Sequence, residues 1–228
     1  MTVSVLVKIC GLSTPEALDA ALDAGADMVG FVFFPASPRH VSLGLAQILG
    51  RRVAGRARKV ALTVDATDQE LADIAEALQP DLLQLHGKET PERVAAMRSH
   101  FGRPVTKALP IASREDLAPV HLYQKVADRI LFDARAPRDA TRPGGLGRPF
   151  DWHLLQNLDP GLAFMLSGGL DAGNVADAIA ITRAPAVDVS SGVERAPGDK
   201  DPDKIRAFIR AARAAEHLQR SDTVAKRA

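Results

Sequence analysis

The chain has 228 residues, enough for one large domain with its own core and short of what two full domains usually need. Charged residues make up 25% and the formal net charge is +1, so nothing points to a nucleic-acid binder or a polybasic membrane anchor. One cysteine excludes an intramolecular disulfide, and no apolar run approaches the roughly 20 residues of a membrane span, so a cytoplasmic protein without a leader or membrane contact is expected.

In chain order, residues 4–9 are mostly apolar and β-branched and read as a strand. Side chains alternate along a strand, so Lys8 and Cys10 share one face while Val7 and Ile9 share the other. Gly11 ends the run. Ser13-Thr14-Pro15-Glu16 then starts a helix over 15–24, capped by Thr14 with Pro15 first or by a Ser13–Glu16 capping box. Residues 26–33 are continuously apolar, the pattern of a strand buried on both faces. They break at a loop, residues 34–40, with two prolines and the cationic pair Arg39 and His40. A helix follows over 42–53. The third strand is 59–64, and Thr67 or Asp68 caps a helix that runs to Leu78 before Pro80. Strand four, 81–85, runs into Gln84-Leu85-His86-Gly87, and Thr90 caps a helix over 91–100. Strand five is 105–109, and Ser113 opens a helix to 126. Strand six, 129–132, ends at Asp133. Residues 134–149, rich in Pro, Gly and Arg, are the longest stretch without apolar periodicity, and such loops are usually functional. Phe150-Asp151-Trp152 starts a helix to 158. Strand seven, 162–166, leads into Ser167-Gly168-Gly169, and Asp171 caps a helix to 182. Strand eight, 186–189, leads into Ser190-Ser191-Gly192. The last helix is 202–217, followed by a polar tail, 218–228, expected to fray.

Eight strands alternating with eight helices predict parallel strands joined by crossover helices. The count and length fit one α/β domain over 1–228, a compact (β/α)8 TIM barrel; the rival is an open doubly wound sheet, which typically has five or six strands.

Polar residues gather where strands end: Cys10, Arg39, Gln84, His86, Asp133, Ser167, Asp188 and Ser190. In a barrel the C-terminal face is the catalytic one. The glycine-bearing turns after strands seven and eight let backbone N–H groups approach an anion, so Gly168, Gly169, Ser190, Ser191 and Gly192 are candidate phosphate binders. Cys10 and Asp133 belong to strands well apart around the mouth, which suits a base and an acid acting on different atoms of one ligand. Taken singly, Cys10 also reads as a small buried hydrophobe, and Asp133 as a helix cap or loop hydrogen-bonder. No close-spaced ligand pair such as CxxC or HxxxH occurs, so no metal is expected. Lys8 and Asp188 lie on strands that a closed barrel makes neighbours. Their pair is either purely structural or sets the field at Cys10.

With these residues in hand, the chain resembles the phosphoribosylanthranilate isomerase family of tryptophan biosynthesis. The resemblance is carried by Val7-Lys8-Ile9-Cys10-Gly11, Gly30-Phe31-Val32-Phe33, Ser37-Pro38-Arg39, Gln84-Leu85-His86-Gly87, Leu131-Phe132-Asp133, Gly144-Gly145-Leu146-Gly147, Phe150-Asp151-Trp152, Leu166-Ser167-Gly168-Gly169-Leu170 and Val187-Asp188-Val189-Ser190-Ser191-Gly192-Val193-Glu194. It implies an Amadori rearrangement of N-(5-phosphoribosyl)anthranilate to the 1-amino-1-deoxyketose phosphate. By the same resemblance Asp133 is the general acid, Cys10 the general base and Arg39 the holder of the anthranilate carboxylate. Gln84, His86 and Asp188 complete the substrate site, and the loops after strands seven and eight hold the phosphate. No metal or cofactor is implied, because the substrate nitrogen is the electron sink. A monomer or homodimer that binds this small molecule, with no nucleic-acid partner, is expected.

Two positions depart from the family pattern. His40 stands where a tyrosine is common, and Leu146 where a small hydroxyl residue is common. Two other readings of the chain are a different phosphosugar barrel enzyme, such as an epimerase or a dual-substrate isomerase, and a non-catalytic phosphosugar-binding barrel. An aspartate in place of Cys10 would be expected of the dual isomerase. The joint presence of Cys10, Asp133 and Arg39 speaks against a purely binding role.

Overall fold

The structure, a computed structural model, describes residues 5–137, 140, 143–145, 147, 149–159 and 161–225, with side chains as far as 215. Eight parallel strands close into a barrel in sequence order. They are β1 (Leu6–Cys10), β2 (Met28–Phe33), β3 (Arg58–Thr63), β4 (Leu82–Leu85), β5 (Val105–Ile111), β6 (Arg129–Ala134), β7 (Phe164–Leu166) and β8 (Ala186–Val189). Closure is the β1–β8 seam, where Lys8 pairs in register with Asp188. An open sheet is thereby excluded. The expected strand start at Ser4 lies outside the described residues.

Alternation along the strands sorts the side chains into layers. Leu6, Met28, Val60, Leu82, Ala108, Leu131, Met165 and Ala186, one from each strand, pack together as an apolar plug. Two positions further along the same faces stand Lys8, Gly30, Leu62, Gln84, Asp133 and Asp188. The opposite faces, for example Val7, Ile9, Val29, Phe31 and Val187, join the larger core beneath the helices. The polar residues are therefore the layer above a sealed floor.

The first four crossovers are α1 (Pro15–Asp23), α2 (Leu43–Val53), α3 (Asp68–Leu78) and α4 (Pro91–Phe101). Thr14, Ser42, Thr67 and Thr90 cap them with side-chain oxygens. Thr14 is thus the cap of α1, and of these four helices α3 carries the full capping box, Thr67 with Glu70. The fifth crossover departs from the expected helix over 113–126. It is a 3-10 turn, Arg114–Leu117, followed by the one-turn α5 (Val120–Tyr123). Pro119 lies between them and has no N–H to continue a helix. The sixth crossover, expected as a helix to 158, is only a 3-10 turn, Trp152–Leu155. The seventh, α6 (Val175–Thr182), begins later than expected. Asp171 accepts the Gly173 and Asn174 N–H bonds in the turn before it. The last helix, α7 (Pro202–Ala225), continues into the segment expected to fray. Between β8 and α7 lies a hairpin that the periodicity missed, β9 (Glu194–Ala196) and β10 (Asp199–Lys200), turning at Pro197-Gly198. Among the described residues no helix is long and apolar enough to cross a membrane.

Candidate active site

Cys10, Arg39, Gln84, His86, Asp133, Gly168, Gly169, Asp188, Ser190 and Ser191 all line one cavity of about 510 Å³ at the C-terminal mouth. That volume lies within the range of small-molecule sites. Gly192 is not in the lining. A Cβ there would run into the Leu170 carbonyl, so Gly192 lets the loops after β7 and β8 pack backbone against backbone.

The end of β1 is an electrostatic unit. Lys8 donates to Asp188 at 3.0 Å, both buried, and Cys10 is 3% exposed. Burial alone pulls the Lys8 ammonium down, but Asp188 and Cys10 together raise it above its ordinary value. Burial pushes the Cys10 thiol up; Lys8 opposes that and Asp188 adds to it, leaving the thiol raised. The resting site therefore holds Cys10 as a thiol at neutral pH. Gly30 on β2 makes the space for this unit: a Cβ there would lie 3.0 Å from Cys10 Sγ and 3.1 Å from Lys8 Nζ.

Arg39 is buried although it lies on a loop. Its Nε and Nη2 donate to the two Glu194 oxygens at 2.7 and 2.8 Å, and Nη2 also donates to the Gly145 carbonyl at 3.2 Å. Glu194 accepts a further bond from Lys200 Nζ at 2.7 Å. Lys200 in turn donates to the Ser190 carbonyl at 2.8 Å and hydroxyl at 3.2 Å, and the Ser190 hydroxyl donates to the Cys10 carbonyl at 3.2 Å. Burial raises the Glu194 carboxyl, yet Arg39 and Lys200 hold it below the usual carboxylate range. Burial brings Lys200 down to about 8 despite the Glu194 charge. Sequence periodicity did not single out Glu194 and Lys200 as site residues. Pro197-Gly198, with Gly198 at φ +89, was the available signal for the turn that presents them.

Across the mouth, Asp133 Oδ2 lies 3.2 Å from His86 Nε2, and His86 Nδ1 lies 3.2 Å from Gln84 Nε2. Asp133 Oδ1 accepts the Ala134 N–H at 3.0 Å. Gly144, on the stretch after β6, passes directly over the pair: a Cβ there would meet Asp133 Oδ2 and come within 2.8 Å of His86 Nε2. A Cβ on Gly145 would lie 2.7 Å from Arg39 Nη1. One glycine pair thus touches both the Asp133 and the Arg39 sides of the cavity. Leu146 lies outside the described residues. His40 is exposed and not part of the lining, so its departure from the family pattern falls outside the cavity.

In the loop after β7, Gly168 has φ +86 and a Cβ there would be 2.5 Å from the Ala134 nitrogen. Asn174 Nδ2 donates to the Gly169 carbonyl at 2.9 Å, tying this loop to the start of α6. Away from the cavity lining, Lys107 on β5 donates to Glu89 at 2.8 Å and to the Gly87 carbonyl at 2.7 Å, while Glu89 accepts the Asp65 and Gly87 N–H bonds. This buried pair joins the loops after β3 and β4 and holds the backbone next to His86. Among the described residues no group of three or more His, Cys, Asp or Glu is placed to hold a metal ion.

A closed parallel barrel with its buried polar layer opening on one C-terminal cavity defines a (β/α)8-barrel enzyme. Comparison with known proteins narrows that class. Residues 7–211 match the family model described as N-(5'phosphoribosyl)anthranilate (PRA) isomerase. The chain is 68% identical over 213 residues to the N-(5'-phosphoribosyl)anthranilate isomerase of Bradyrhizobium diazoefficiens, covering 93% of this chain and 96% of that one. It is 65% identical to the Rhodopseudomonas palustris (strain BisB5) protein of the same name, covering 94% and 99%. Among solved structures, phosphoribosyl anthranilate isomerase from Thermotoga maritima superposes with TM-score 0.83 at 36% identity, over 92% of this chain and 99% of that one. A phosphoribosyl anthranilate isomerase in complex with reduced 1-(o-carboxyphenylamino)-1-deoxyribulose 5-phosphate superposes with TM-score 0.80 at 34% identity, over 92% and 99%. The chain belongs to the N-(5'-phosphoribosyl)anthranilate isomerase family and is an isomerase of tryptophan biosynthesis.

Proposed function

We propose that the enzyme converts N-(5-phosphoribosyl)anthranilate to 1-(2-carboxyphenylamino)-1-deoxyribulose 5-phosphate by an Amadori rearrangement under general acid–base catalysis. The observation that carries the reading is that Cys10, Asp133 and Arg39, from three separate parts of the chain, share one cavity with the loops after β7 and β8. Asp133, as the carboxylic acid, donates its proton to the furanose ring oxygen. The C1–O bond breaks as the nitrogen lone pair forms the C1=N iminium. Cys10, having given its thiol proton to solvent, removes the C2 proton as the thiolate; the C–H electron pair forms the C1=C2 bond of an enolamine as the C1=N π pair returns to nitrogen. The 2-hydroxyl then loses its proton, C1 gains one, and the ketone results.

The raised Cys10 thiol fits a base that is charged only when needed. A cationic iminium one bond from C2 favours the thiolate, and Lys8 supports it from behind. His86 and Gln84 orient Asp133, and Asp188 holds Lys8. Arg39 takes the anthranilate carboxylate. Gly168, Gly169, Ser190 and Ser191 take the phosphate through backbone N–H groups, with Gly192 fixing the two loops together. The reading includes a cytoplasmic monomer or homodimer that needs no metal or cofactor. The test is product formation by the purified protein, followed as loss of substrate fluorescence and appearance of the ketose phosphate by chromatography. Turnover that disappears in Cys10→Ala is expected; substrate left unconverted by the wild type overturns the reading.

A further inference from the structure

Arg39 lies on a proline-bearing loop, yet its guanidinium is among the most constrained groups in the cavity. Glu194 grips its Nε–Nη2 edge, and among the described residues no hydrogen-bond partner is assigned to Nη1. Two glycines let the chain close on it. A Cβ at Gly11 would lie 2.6 Å from Arg39 Cδ, and a Cβ at Gly198 in the hairpin turn would lie 2.5 Å from the Pro38 carbonyl. The hairpin is thus packed against the loop that carries Arg39.

The charges of this cluster do not balance. Arg39, Glu194 and Lys200 are 4%, 7% and 5% exposed and sum to one positive charge. The neighbouring Lys8–Asp188 pair sums to zero. An uncompensated buried charge is costly, and a single ligand carboxylate would complete the set. Resting on the assignment of Arg39 made above, we propose that Glu194, held by Lys200, is a positioning residue that presents Arg39 to a substrate carboxylate and makes the site selective for carboxylated over plain arylamine ligands. The Lys200–Ser190–Cys10 hydrogen bonds carry the same hairpin to the end of β1, which fixes the distance between the carboxylate and the base.

A pH dependence follows. The groups facing Lys200 are Glu194, Arg39, Ser190 and Cys10. As pH rises through about 8, Lys200 loses its charge and the cluster falls from one net positive charge to none. Affinity for a carboxylated ligand falls with it more than affinity for a ligand without the carboxylate.

The experiment measures binding of the reduced product analogue and of its phenylamino counterpart lacking the carboxylate, by calorimetry, to wild type and to Glu194→Gln. The ratio of the two affinities is expected to drop about tenfold or more in the variant, with the phenylamino ligand within about twofold of wild type. Glu194→Gln leaves two buried cations facing each other and could fail to fold. The double variant Glu194→Gln/Lys200→Met removes both partners and keeps one net positive charge, so it separates positioning from charge. Its ratio is also expected to fall. A wild-type ratio in the folded double variant overturns the inference, as does tighter carboxylate binding in Glu194→Gln, which would make Glu194 a competitor. A wild type that binds and discriminates both ligands yet forms no product defeats the isomerisation reading instead.

Discussion

The two sides of the cavity are built differently. The Cys10 side rests on the β1–β8 seam, paired in register from Leu6–Ala186 to Ile9–Val189, and its charges form two groups, Lys8–Asp188 and Arg39–Glu194–Lys200, the second joined to the Cys10 carbonyl through Ser190. The Asp133 side has one neutral amide, one imidazole and one carboxyl in line, with a glycine passing over them. The difference follows from what each group would do. A thiol must be persuaded to lose its proton, which takes a fixed cation nearby. An acid that must give up a proton and regain it gains from an adjacent group that can donate or accept.

The largest effects should come from removing either end of this pair. Cys10→Ala and Asp133→Asn are each expected to lower kcat by roughly 10²–10⁴-fold while a product analogue still binds. A substrate supplied as the open-chain imine separates them. Asp133→Asn should recover much of its rate on that compound and Cys10→Ala should not. Equal inactivity of both on the open form would move Asp133 out of ring opening.

Breaking the seam should cost stability next. Asp188→Asn leaves Lys8 buried without its anion, at about 3–5 kcal/mol, read as a fall in denaturation midpoint. The same change has a kinetic sign. Asp188 helps to raise the Cys10 thiol, so its loss lowers that thiol and moves the alkaline rise in iodoacetamide reactivity to lower pH. A variant whose alkylation profile matches wild type would make the pair purely structural. Alkylation of wild type at neutral pH should be slow, because Cys10 is buried and protonated.

Smaller again is Gly30→Ala. Its methyl meets Cys10 Sγ and Lys8 Nζ, so overpacking of about 1–3 kcal/mol is expected, with kcat falling more than substrate affinity. Unchanged kcat would show that the β1 end tolerates displacement. The smallest effect is expected at the phosphate loop. Gly168→Ala at φ +86 should displace the Ala134 backbone and raise the KM of the phosphorylated substrate about tenfold, which is about 1.4 kcal/mol. A dephosphorylated ligand that binds wild type and variant alike is the internal control.

Much of this was legible in the sequence because it is local. Strand alternation alone puts Lys8 and Cys10 on one face, polar Gln84, Asp133 and Asp188 stand next to last in β4, β6 and β8, and short turns announce themselves by glycine and proline. The helix over 113–126 was read from pattern and did not form as one piece, since Pro119 interrupts it. The hairpin bearing Glu194 and Lys200 escaped notice because strands of three and two residues are too short for alternation to register.

What the sequence by itself determined is the alternation of eight strands with crossover segments and the shared face of Lys8 and Cys10, since each depends on neighbours a few positions away. The Lys8–Asp188 pair, 180 positions apart, was already implied by barrel closure and is present at 3.0 Å. Only the tertiary structure decided that Arg39 meets Glu194 across 155 positions. Those meetings depend on barrel closure and strand register, and a one-residue slip would turn each side chain to the opposite face of its strand.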